Sequence, residues 1–159
     1  MPKNDSKVRE FSDAEYEVLA EFRHQIAIFL RRRTMAAKSA GLEPKQYQLM
    51  LAVKGFGASK PPTIGELATQ LQLYHHSTVE LVNRLERQGY IQRHRSTTDK
   101  RVVQLTVTPA GQKVLDKLVA FSLTELKSEG PALIRSLQHV LKGTSGKKKS
   151  SQRQTVKSR

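Results

Sequence analysis

Apolar residues recur along most of this chain at helical spacing, and at one place the spacing drops to two. The series Tyr16, Leu19, Phe22 or Arg23, Ile26, Phe29 and Leu30 marks one face of a long helix. A Ser12–Glu15 capping pair opens it, and Gly41 suits a left-handed cap after Ala40. Pro44 starts a second helix to about Lys54, whose Tyr47, Leu49, Met50, Leu51 and Val53 are spread almost all round it, which predicts a central position in the core. Two glycines and two prolines make residues 55–62 a loop.

A second capping pair, Thr63 with Glu66, opens a short helix whose Ile64, Leu67, Ala68 and Leu71 point inward. After a turn at Gln72 and Leu73, another helix runs from near Tyr74 to about Gln88 and closes at Gly89. Stepping 100° per residue places Tyr74, Thr78, Leu81, Val82 and Leu85 on its buried arc. Then the period changes: Val103, Leu105 and Val107 alternate with Gln104 and Thr106, a half-buried strand facing another that opens at Ile91, with RHRSTTDKR between them.

Thr108-Pro109 begins a long helix with Val114, Leu115, Leu118, Val119, Ser122 and Leu126 inward. Glu129-Gly130-Pro131 is expected to break it before a last helix, Ala132 to Lys142, carrying Leu133, Ile134, Leu137, Val140 and Leu141. The fold class is therefore mainly α with a small β-wing: a winged helix-turn-helix head with helices at both ends of the chain. A helix, tight turn, second helix and hairpin with a basic tip form a DNA-reading device. The terminal helices carry more apolar faces than one reading head needs, and a homodimer interface is the economical use for them.

Charge strengthens the nucleic-acid reading. The 159 residues include 28 basic and 14 acidic ones, a formal net charge of +14. Residues 143–159 are low-complexity and hold six basic and no acidic residues, a tail expected to be disordered; residues 1–142 still carry +8 from 22 basic and 14 acidic residues. Residues 1–10 are polar and expected to be flexible. The absence of cysteine excludes disulfides, zinc thiolates and thiol redox switching. No apolar run approaches the roughly 20 residues of a membrane span, and MPKNDSKVRE lacks a signal-peptide core, so a cytoplasmic protein is expected. No nucleophile motif, phosphate-cradling glycine loop or HExxH spacing supports an enzyme, and no cofactor is implied. Adjacent His75 and His76 point 100° apart on a helix with no third ligand at helical spacing, which argues against a metal.

On the helix from Tyr74, the arc opposite the buried one carries His76, Val79, Glu80, Asn83 and Arg87, with His75 and Ser77 at the N-terminal end and Arg84 on the flank. These types suit a major groove: Asn for adenine edges, His and Ser as donors or acceptors, Val for a thymine methyl, Glu for cytosine. The loop sequence concentrates Arg93, His94, Arg95, Lys100 and Arg101, with Asp99 two residues from Arg101, where it could orient that guanidinium. An arginine at such a tip suits entry into a minor groove.

These residues resemble the MarR family of bacterial and archaeal winged-helix regulators. The resemblance runs from Leu19 to about Leu126. It rests on Gly41-Leu42 with Gln46 and Leu49, on TIGELA at 63–68, on NRLERQGYIQR at 83–93, and on Asp99, Arg101, Leu105, Thr108 and Gly111. It implies a single domain over 11–142, with a reading head at 44–107 and dimerisation helices at 12–40 and 109–142. It further implies a recognition helix from Tyr74, a minor-groove finger at Arg101 positioned by Asp99, and a homodimer on double-stranded DNA. The function implied is a sequence-specific transcriptional repressor modulated by a small aromatic or anionic ligand; the alternative is a non-specific or architectural DNA binder without an effector. His24, Tyr47 and Met50 are the candidate ligand-pocket residues. The chain departs from the family pattern at His75-His76, where small residues or Ser-Pro are commoner, and at Glu80, where a basic residue is often found.

Overall fold

A computed structural model describes residues 10–143; the expectations for the first nine residues and for the basic tail beyond 143 lie outside it. The order is α1 (Asp13–Ser39), α2 (Pro44–Gly55), α3 (Ile64–Leu71), α4 (His75–Arg87), β1 (Ile91–Arg95), β2 (Val103–Val107) and α5 (Pro109–Gly143). The chain divides into two compact units. One spans Leu30–Lys127 and contains α2, α3, α4 and the hairpin; the other comprises the residues up to Phe29 and from Ser128.

The local signals that set the elements are visible in the main chain. Ser12 receives the Glu15 carboxylate at its amide, 2.9 Å, and Gly41 takes φ +77° after α1, a conformation that costs a residue with a Cβ roughly 1 kcal/mol or more. Pro44 stands in the first turn of α2, and the side chain of Gln46 accepts from the Glu43 amide at 2.9 Å. In α3 the Thr63 hydroxyl accepts from the Glu66 amide at 3.2 Å while the Glu66 carboxylate accepts from the Thr63 amide at 2.9 Å. Gln72 adopts the left-handed conformation that ends α3 and starts the turn into α4.

Thr63 donates to the Glu66 carboxylate through both its amide and its hydroxyl, and these bonds hold the Glu66 pKa below the ordinary glutamate value, with nearby Lys60 adding to the effect. A depressed folded-state pKa makes the contribution fully present above the unfolded value and lost as pH falls through the folded one. The stability difference between the native chain and Glu66→Ala is therefore expected to be largest near neutrality and to narrow on acidification below about pH 4. Thermal unfolding of both proteins from neutral to acid pH checks this; a gap independent of pH would contradict it.

The core of the larger unit is one cluster. Leu42, Tyr47, Leu49, Met50, Val53, Leu67, Leu81, Val82, Leu85, Ile91, Leu105, Leu115 and Leu118 are all buried, with Ala37 and Ala52. At about 1.5–3 kcal/mol for each fully buried large aliphatic side chain, this cluster dominates the unit's stability. Helix α2 is central as expected, although Leu51 remains 43% exposed. The strands pair antiparallel from Ile91 opposite Val107 to Arg95 opposite Val103. A further bond, from the Leu105 amide to the Pro62 carbonyl at 2.9 Å, ties β2 to the loop before α3. A two-stranded ribbon alone is marginally stable, so this bond and the burial of Ile91 and Leu105 are what hold the wing to the helices.

Four local expectations are corrected. Helix α5 runs without a break from Pro109 to Gly143, with Pro131 inside it. Pro131 and Lys127, the residue four before it, are both exposed, so water can take up the carbonyl that the ring leaves without a donor. Leu126 is 38% exposed rather than inward. Tyr74 is not on the buried arc: it precedes α4 as an extended residue, φ −66° and ψ 147°, where the 100° step no longer applies, and it is 78% exposed. Arg93, His94 and Arg95 belong to β1 rather than to the loop, because the pairing register continues as far as Arg95.

Candidate nucleic-acid interface

Helix α4 is amphipathic in the sense the sequence required. Thr78, Leu81, Val82 and Leu85 are buried, while His75, His76, Glu80, Asn83, Arg84 and Arg87 are exposed and Ser77 and Val79 partly so. Its N-terminus has no side-chain cap, since tyrosine offers no short acceptor to the first turn. The Tyr74 ring instead lies nearly parallel to that of His76, with centroids 5.6 Å apart. This exposed aromatic pair at the head of α4 was missed from sequence, where regular helical geometry had been extended one residue too far.

At the far end, Arg84 lies 3.4 Å from the Glu43 carboxylate, and Arg87 Nε donates to the Asn83 carbonyl at 3.4 Å. Both pairs are exposed and worth little, so the cationic groups remain available to a polyanion. Gly89, with φ +75°, turns the chain from α4 into β1. Arg93 then reaches back to α4 and pairs with Glu86 and Asn83. The sequence groups Arg93 with the loop cations; the one available signal is that Glu86 and Arg93 flank the Gly89 turn closely enough for a helix-to-strand reversal to bring them together.

The wing tip, residues 96–102, is organised by small polar residues. Ser96 is buried; its hydroxyl lies 2.9 Å from that of Thr98 and accepts from the amides of Thr98 at 3.2 Å and Asp99 at 3.4 Å. Asp99 accepts from the main-chain amide of Arg101 at 2.9 Å. The contact expected to be with the guanidinium is thus with the backbone, and it fixes the turn from which the side chain extends. Arg95 Nη1 donates to the Lys100 carbonyl at 3.0 Å across the mouth of the loop. Arg95, Lys100 and Arg101 are exposed, so the larger unit presents a polar helix face and a basic hairpin tip.

Of the three residues proposed from sequence for a ligand pocket, two belong to the larger unit and His24 to the other. Tyr47 and Met50 are core residues, the Tyr47 hydroxyl lying 3.0 Å from Ser122 Oγ, and His24 is exposed on α1. A separate cavity of about 740 Å³ in the larger unit is lined by Met35, Ala36, Val114, Leu118 and Phe121, with Arg32 and Lys117 among its charged residues.

The architecture is that of a winged helix-turn-helix protein. Residues 40–102 match the model of the MarR family. HTH-type transcriptional regulator SarZ of Staphylococcus haemolyticus is 25% identical over 118 residues, covering 70% of this chain and 78% of SarZ. AbsC, a MarR family transcriptional regulator from Streptomyces coelicolor, has the same fold, with a TM-score of 0.69 at 15% identity over 87% of this chain and 96% of AbsC. The S. aureus MepR–DNA complex gives 0.59 at 17% identity over 77% of this chain and 93% of MepR. The family match thus spans α2, α3, α4 and β1, and the likeness to the solved structures is one of fold.

Proposed function

We propose that this protein is a sequence-specific DNA-binding regulator, a homodimeric repressor that lays α4 in the major groove and the wing tip along the adjacent minor groove. The observation that carries the reading is the pairing, within one compact unit, of an exposed polar α4 face with exposed Arg95, Lys100 and Arg101. A solvated surface helix alone would not require a basic hairpin beside it. The DNA-bound structure of MepR, which shares the fold, supports the same use here.

Exposed apolar side chains support the dimer. Tyr16 and Leu19 on α1, and Ile134, Leu137 and Leu141 on α5, are each more than 40% exposed in the single chain, and soluble proteins rarely leave so many large apolar groups in water. The cavity beside Met35 and Phe121 is mainly apolar, with Arg32 paired to Glu125 at 2.7 Å and Lys117 as a further cation; this suits a small aromatic or anionic effector, and its volume is within the usual range for such ligands.

The test is binding of the full chain to duplexes enriched from a random library and to scrambled duplexes of the same composition, between about 50 and 200 mM salt. The enriched duplex is expected to bind about a thousandfold or more tighter than the scrambled one at physiological salt. Equal affinity at every salt concentration would leave a non-specific, charge-driven binder in its place. Sedimentation at micromolar concentration is expected to give a dimer, and a monomer there would remove the homodimer from the reading.

A further inference from the structure

β1 sets Arg93 against the C-terminal half of α4. Its guanidinium reaches two α4 side chains on neighbouring turns: Nη1 donates to Glu86 Oε2, and Nη2 donates to Asn83 Oδ1 at 2.7 Å. The Arg93 amide adds a bond to Glu86 Oε1 at 3.3 Å. Arginine carries five N–H donors and no acceptor, so the Asn83 atom that faces it is the carbonyl oxygen. The carboxamide is thereby given one polarity. Its oxygen is turned to the wing, and its NH2 is left to the exposed side of α4, where Asn83 lies. Of the other arginines beside Asn83 on α4, Arg87 donates to the Asn83 main-chain carbonyl and Arg84 pairs with Glu43.

This polarity matters for base recognition. Asparagine recognises adenine by two bonds at once, Oδ1 accepting from N6 and Nδ2 donating to N7. With one lone pair of Oδ1 taken by Arg93, the accepting half of that pairing is weakened, whereas guanine presents two acceptors side by side, O6 and N7, to the NH2 group. We propose that Arg93 is a positioning residue that biases Asn83 toward donating, so that this position of α4 favours guanine over adenine. The inference rests on α4 reading DNA, as proposed above.

The experiment is enrichment of bound duplexes from a randomised library by the full chain and by four variants. Native protein is expected to enrich a motif with one guanine position that flattens in Asn83→Ala, with roughly two- to tenfold discrimination lost there. Arg93→Met keeps an aliphatic stem but frees the carboxamide, and should shift that position toward adenine. In Asn83→Ala, adding Arg93→Met should change nothing further at that position. Asn83→Asp keeps, and by its charge strengthens, the bond to Arg93, yet carries no donor; the position should move from guanine toward cytosine, whose N4 donates. A role for Asn83 in structure alone predicts a native motif for Asn83→Asp, and that result, or an unchanged motif in a folded Arg93→Met, overturns the proposal with DNA reading intact. A native protein that enriches no sequence overturns the reading on which it rests.

Discussion

Gly111→Ala is expected to destabilise the protein by roughly 2–4 kcal/mol, the sum of overpacking and a weakened helix cap, although alanine is the better helix former. Gly111 lies in the first turns of α5, and a Cβ built on it falls 2.3 Å from the Tyr90 carbonyl oxygen and 3.0 Å from the Tyr90 carbonyl carbon. Both are backbone atoms, which cannot swing aside as a long side chain would. They are also engaged: the Tyr90 carbonyl accepts from the Thr108 amide at 3.0 Å, and Gly111 donates to Thr108 Oγ1 at 3.1 Å. Relief of the contact therefore requires α5 to move off the 89–90 turn, with loss of the Thr108 cap. Propensity alone would make the substitution favourable by about 1 kcal/mol, so the sign of the result decides between the two effects. Gly130→Ala, in the same helix with nothing within 4 Å of the added carbon, is the control and is expected to be neutral or stabilising by up to about 1 kcal/mol. For a chain of this length the pair should separate by roughly 5–15 °C in Tm. Equal midpoints would mean that the close approach at Tyr90 carries no energetic weight.

The elements legible in sequence were those with a local cause. Ser12 with Glu15, Thr63 with Glu66, Pro44, Gly41 and Gly89 each act within one turn of chain, and the structure places α1 to α4 where these residues put them. The period-2 run at Val103–Val107 likewise gave β2 to the residue. What escaped depended on contacts or geometry that no local pattern encodes. Pro131 was read as a breaker because its cost is local, yet the helix continues where both it and Lys127 face water. Tyr74 was counted as core because the helical wheel does not register where the helix begins. The Arg93 fork joins residues seven and ten positions apart, across a turn. The Gly111–Tyr90 approach spans twenty-one positions and is invisible in sequence, although Gly111 had been noted in the family resemblance. At the interface the exposed residues of α4 were legible as a set, because amphipathicity selects them, whereas the polarity of any one of them is fixed by a neighbour on another element.

Arg101→Ala is expected to weaken specific DNA binding about ten- to a hundredfold, the loss of one or two charge-assisted hydrogen bonds, with Tm and sedimentation unchanged. Arg101 is exposed at the end of a turn whose main chain is fixed from inside the loop. Asp99 Oδ1 holds the Arg101 amide at 2.9 Å, the Asp99 carbonyl accepts from Val102 at 2.9 Å, and Ser96 and Val102 close the hairpin at 2.9 Å. The side chain thus leaves an ordered base, which lowers the entropy lost when it enters a groove. Deleting it removes nothing buried, so folding should stay within about 0.5 kcal/mol of native. The dependence of affinity on salt should also become shallower, by about one phosphate contact. The role of Asp99 follows from the same geometry. Asp99→Asn keeps an acceptor for the Arg101 amide and is expected to bind nearly as the native protein does, whereas Asp99→Ala releases the turn and should lose part of what Arg101→Ala loses. If Asp99→Asn fell as far as Arg101→Ala, the carboxylate charge would be acting on the guanidinium and the backbone account would be wrong. If Arg101→Ala itself bound DNA with native affinity and native salt dependence, the wing would have no place in recognition, and α4 alone would have to account for it.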